Sequence, residues 1–99
     1  MRHGGRRTIK ITLVYYDEPS IGCMWGSNDV AYEVYINIDT GNIDVEEIGS
    51  FGDRTFVARF EHPEHREVTE QEVGTVINNF KNMTYERFKE MIGVWKNAI

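Results

Sequence analysis

Two long stretches of alternation constrain this chain more than any other feature. From Thr8 to Tyr16, Ile9, Ile11, Leu13 and Tyr15 fall on one side, and Thr8, Lys10, Thr12, Val14 and Tyr16 fall on the other. From Val30 to Asp39 the pattern repeats. Val30, Tyr32, Val34, Ile36 and Ile38 point one way, and Ala31, Glu33, Tyr35, Asn37 and Asp39 the other. Successive side chains of a strand point to opposite faces, so this period of two predicts two half-buried strands. Composition agrees, with ten Ile and nine Val against one Leu, Leu13. Side chains branched at Cβ are stiff and suit a pleated surface better than a helix.

The rest of the chain divides at His62-Pro63. Before it, Asp39-Thr-Gly-Asn42 offers a turn in which Gly41 and Asn42 tolerate positive φ. A third strand is expected from Ile43, with Ile43 and Val45 inward. A fourth is expected over about Arg54 to Glu61, with Phe56, Ala58 and Phe60 on the core face. After Pro63 the period becomes helical. Thr69-x-x-Glu72 has the form of a capping box, with Val68 and Val73 placed as a hydrophobic staple. Val73, Val76, Ile77, Phe80 and Met83 follow helical spacing. Thr84 can cap a second helix, along which Tyr85, Phe88, Met91, Ile92 and Trp95 form a stripe. Gly74 and Gly93 sit inside these helices, and a close approach to a neighbouring backbone would explain them. The expectation is an α+β fold, a four-stranded antiparallel meander sheet with two C-terminal helices packed on one face, in the order ββββαα. At 99 residues this makes one domain over 1–99, with 1–7 as a flexible basic arm.

Reaction chemistry is harder to find. Asp39-Thr40-Gly41 resembles the catalytic triplet of the aspartic proteases, but Asn37 and Asn42 flank it and a hairpin turn accounts for it better. His62 and His65 could hold a metal with Cys23 and His3. Pro63 lies between the two histidines, however, and the chain has only one Cys, so no metal or other cofactor is expected. Cys23 as a nucleophile would need a base and an orienting group that the sequence does not place. No phosphate-cradling loop is present. Segment 68–99 has equal numbers of acids and bases, unlike a DNA-reading helix pair on a basic surface. A single cysteine and the lack of a long apolar run point to a cytoplasmic protein outside the membrane.

Charge is distributed unevenly. Residues 1–10 carry +4, residues 11–53 carry −9 with no Lys or Arg, and residues 54–99 carry zero, for −5 in total. By strand parity, Glu33, Asp39, Asp44 and Glu46 share the outward sheet face with Tyr16 and Tyr35. Asp17 and Glu18 follow the first strand. The 17–29 loop adds Ile21, Met24 and Trp25. Apolar groups rimmed by charge are typical of protein-binding surfaces, and Trp is an enriched anchor there. The predicted partner-binding set is therefore Tyr16, Asp17, Glu18, Trp25, Glu33, Tyr35, Asp39, Asp44 and Glu46. The expected function is that of a small acidic binding or inhibitor protein without catalytic activity. It would engage a basic, nucleic-acid-binding surface of a partner such as a nuclease. In general character, though in no motif, the chain resembles the small acidic inhibitors: toxin-immunity, antirestriction and phage anti-CRISPR proteins. The alternatives are a self-associating structural protein, or a nucleic-acid binder using the arm residues Arg2, Arg6, Arg7 and Lys10.

Overall fold

The computed structural model describes residues 7–17, 28–49 and 51–97. Its elements are β1 (Thr8–Asp17), β2 (Asn28–Asn37), β3 (Ile43–Ile48), β4 (Arg54–Phe60), α1 (Glu70–Lys81) and α2 (Tyr85–Asn97). The strands form one antiparallel sheet in the order β1-β2-β3-β4. This is the ββββαα meander expected from the two periods. No helix among the described residues is long and apolar enough to cross a membrane.

Register follows the alternation. Ile9 lies opposite Ile36, Ile11 opposite Val34, and Leu13 opposite Tyr32. Val34 continues the row to Val45, and Val45 to Ala58. Leu13, Tyr32, Val34, Ile36, Val45 and Ala58 are buried there, and Phe80, Phe88 and Ile92 close the core from the helices. Phe88 is completely buried and packs its ring against Tyr32 at 4.6 Å and Tyr15 at 5.4 Å. A buried aromatic of this kind contributes both area and the inclined ring contacts that aromatic pairs favour.

Three details depart from the sequence pattern. β2 ends at Asn37, not Asp39, because the Asn37 side-chain oxygen accepts bonds from the backbone N–H of Asp39 and Thr40 and starts the turn. Asp39 therefore leaves the sheet face on which parity placed it. In the same turn Gly41 alone takes positive φ, at 80°. A Cβ there would sit 2.8 Å from His62, so glycine is required twice over. In β4 the register slips: Ala58 opposes Val45 but Phe56 opposes Glu46, leaving Val57 as the extra residue of a bulge. Val57 thus joins the core layer, and Phe56 is left 48% exposed, packed edge-on against Trp95 at 5.7 Å.

Both helix starts form as their motifs dictate. Thr69 Oγ1 accepts from Glu72 N, and Glu72 Oε1 accepts from Thr69 N at 2.9 Å. Thr84 Oγ1 accepts from Arg87 N at 3.2 Å. Gly74 and Gly93, however, face open space where a Cβ would go, so no close approach explains them.

Candidate functional site

The helix-free face of the sheet carries the expected acids, but the fold neutralises them. Glu33 lies opposite Glu46, and like charges directly across a ladder repel. The relief comes from the flanking strands. Lys10 of β1 reaches Glu33 at 3.3 Å, and Arg54 of β4 pairs with Glu33 directly. The Tyr35 hydroxyl donates to Glu33 at 2.8 Å and accepts from Arg54 at 3.2 Å. Asp44 is held by Arg59 in a two-pronged pair at 2.6 and 3.1 Å. Glu33 ends only 4% exposed. A charge that buried is tolerated only with such partners around it. Burial raises the Tyr35 phenol pKa, with Glu46 adding to the rise.

Among the described side chains, this face therefore sets Lys10, Arg54 and Arg59 against Glu33, Asp44 and Glu46. It is a neutral network, not an acidic patch. Val14 remains half-exposed beside it. Of the other expected site residues, Tyr16 and Asp17 end β1 opposite Asp29 and Asn28, and only their backbones are described. Glu18, Trp25 and Cys23 lie outside the described residues, as does the basic arm up to Arg6. Arg7 is tied down: its Nε donates to Asp39 at 3.0 Å and its Nη2 to Glu67 at 2.9 Å.

Where, then, is the unbalanced acid? It gathers at the end of the molecule where the β2–β3 turn meets the connection from β4 to α1. Glu61, Glu64, Glu67, Glu70 and Glu72 lie in that connection and the first turn of α1, and Asp39 joins them through Arg7. Among the described residues, Arg7 and Arg66 are the cations beside them, which leaves a local net charge of −4 over those side chains. Some of these acids have structural duties. Arg66 holds Glu64 at 2.9 Å and Glu72 at 2.8 Å. With the bond from Thr69, this holds the Glu72 carboxyl at about 2, well below its ordinary value. Acids in the first turn also complement the helix dipole. Glu61 has a weaker attachment, 3.8 Å from His65 Nε2.

The same end holds two apolar clefts on either side of Val68, whose N–H donates to the Ile38 carbonyl at 2.9 Å. One cleft, of about 250 Å³, lies between α1 and the sheet and is walled by Ile36, Ile43, Phe60, Val73 and Val76. Glu61, His62 and Glu72 stand among its lining residues. The other, of about 270 Å³, runs beside Arg7, Ile9, Glu67 and Glu70. Averaged over residues 54–99 the charge balances to zero, which hides this acidic end in the sequence. The shorter window Glu61–Glu72 holds five acids and one Arg and shows it plainly.

Of the four residues considered for a metal, His3 and Cys23 lie outside the described residues. His62 Nδ1 accepts from Glu64 N at 3.0 Å and is occupied. No group of three or more metal-binding side chains converges among the described residues. No family model matches the chain, and no curated protein or solved structure matches it either.

Proposed function

We propose that the protein is a small binding protein, without catalytic activity of its own, that engages a basic surface on a partner protein. The observation that carries this reading is the −4 end formed by Asp39 and the five glutamates from Glu61 to Glu72. It replaces the sheet face, whose acids are already neutralised, as the contact region. A concentrated field of one sign speeds encounter with an oppositely charged surface and sets orientation. A nucleic-acid-binding protein is the partner class with such a surface already in place, because its phosphate contacts are cationic. Carboxylates spaced along one end of a small fold could occupy those contacts, which makes an inhibitor the corresponding role.

The test compares two variants in a pull-down from the native host, followed by binding measurements over a range of salt. Glu61→Lys with Glu67→Lys brings the acidic end to neutrality. Tyr35→Phe removes the hydroxyl of the sheet-face network and leaves that end untouched. The double reversal should weaken association with the captured partner at least about tenfold at low salt and flatten its salt dependence. Tyr35→Phe should leave both unchanged. Partner binding that survives the double reversal at full strength would remove the basis of this reading.

A further inference from the structure

We infer that the cleft between α1 and the sheet is an anchor pocket, taking one aromatic or branched apolar side chain from a Lys- or Arg-rich segment of the partner. This rests on the basic-partner reading and goes beyond it, from a charged end to a specific pocket. The size of the cleft decides the class of occupant. At about 250 Å³ it falls below the roughly 300–1,000 Å³ of small-molecule sites. An apolar cavity of about 150 Å³ already accommodates a benzene ring, so a single large side chain fits with room to turn. The walls are aliphatic and aromatic: Ile36, Ile43 and Phe60 from the sheet, Val73 and Val76 from α1.

Charge complementarity decides what flanks that side chain. The segment passing the mouth crosses Glu61 and Glu72, the latter already held by Arg66. Acidic and phosphorylated segments are repelled there, and a neutral one gains nothing from the rim. Lysines or arginines beside an apolar residue gain from Glu61 and from the excess of acid at this end. Hot spots of this kind typically seat a hydrophobic anchor within a charged border.

The mouth is also held in shape before any partner arrives. The His62 ring packs on Gly41, where no Cβ would fit. His62 N donates to Asn42 Oδ1 at 3.1 Å, and His65 N donates to the His62 carbonyl at 3.1 Å. Val68 is pinned to Ile38 on the far side. A pocket ordered in advance avoids the entropy cost of closing around its ligand.

Two synthetic peptides test the inference on the unaltered protein, Lys-Lys-Phe-Lys-Lys and Lys-Lys-Gly-Lys-Lys. Calorimetry should find the Phe peptide about tenfold tighter, the difference one buried aromatic makes in a partly open cleft. Amide chemical shifts of Phe60, Val73 and Val76 should move with the Phe peptide and not with the Gly peptide. Val76→Trp, which fills the cleft from α1, should bring the two peptides to equal affinity. Equal affinities on the unaltered protein, or binding of neither peptide, would overturn the anchor pocket. The basic-partner reading is tested apart from it, by the loss of partner binding on Glu61→Lys with Glu67→Lys.

Discussion

Glu33 shows what one residue can hide from its neighbours in sequence. Outward parity marks it as a solvent-facing acid, and its opposition to Glu46 is a repulsive pair. Lys10 and Arg54 come from strands 23 and 21 residues away and turn that liability into the centre of a network. No local pattern announces them. Gly74 has the opposite lesson. It is an exposed helical glycine with open space where a side chain would go, so neither packing nor backbone approach requires it. Glycine in a helix interior costs about 0.5–1 kcal/mol against alanine, mainly through the freedom of the unfolded chain. Gly74→Ala should therefore raise unfolding free energy by up to about 1 kcal/mol, read as a higher urea midpoint at unchanged slope. A lower midpoint would mean that Gly74 has a packing duty the structure does not show. Glycine at Gly41, by contrast, was legible as turn chemistry, though its contact with His62 was not.

At the level of elements, motifs with closed local geometry were readable and irregularities were not. The capping box at Thr69 and Glu72 formed as its spacing requires, because both bonds run within one turn. Thr69→Ala should cost about 1 kcal/mol of stability and fray the first turn of α1, seen as faster hydrogen exchange there. A change confined to α2, or none, would contradict this. That turn also carries Glu70 and Glu72, so the same variant loosens part of the acidic end. β4 was harder to read. Phe56, Ala58 and Phe60 keep a clean alternation, yet the slip beside Val45 and Glu46 moves Val57 inward and leaves Phe56 at the edge with Trp95. A bulge depends on how two strands settle against each other, and the alternation of either strand alone cannot record it. The end of β2 is hidden for a related reason: Ile38 continues the apolar period while the Asn37 side chain has already begun the turn.

For the whole molecule, stability against pH carries contributions from groups at opposite ends of the scale. The Glu72 carboxyl is held at about 2, first by Arg66, against an ordinary value of 4.5. A depressed acid stabilises the fold above its unfolded pKa and loses that contribution as pH falls toward the folded one. Tyr32 is shifted upward, first by burial and then by its hydrogen bond with Tyr85, from an ordinary value of 10.0. A raised tyrosine contributes fully below its unfolded pKa, and the contribution drains away as pH climbs above it. Urea unfolding across the pH range should therefore show a plateau between about pH 5 and pH 10, with decline on both sides. Glu72→Gln should make the acid limb shallower and leave the alkaline one; an alkaline limb missing in the parent protein would count against the burial of Tyr32, Tyr15 and Tyr35. The overall architecture was written in the chain itself. Periods of two and 3.6 decide which residues must leave water, and that decides strands, helices and the face they share. Where charge is free to act was settled only in three dimensions. Coulomb interactions depend on distance through space, and folding brought Lys10, Arg54 and Arg59 to the acids of β2 and β3. Among the described residues, it left the glutamates from Glu61 to Glu72 with fewer cations than acids.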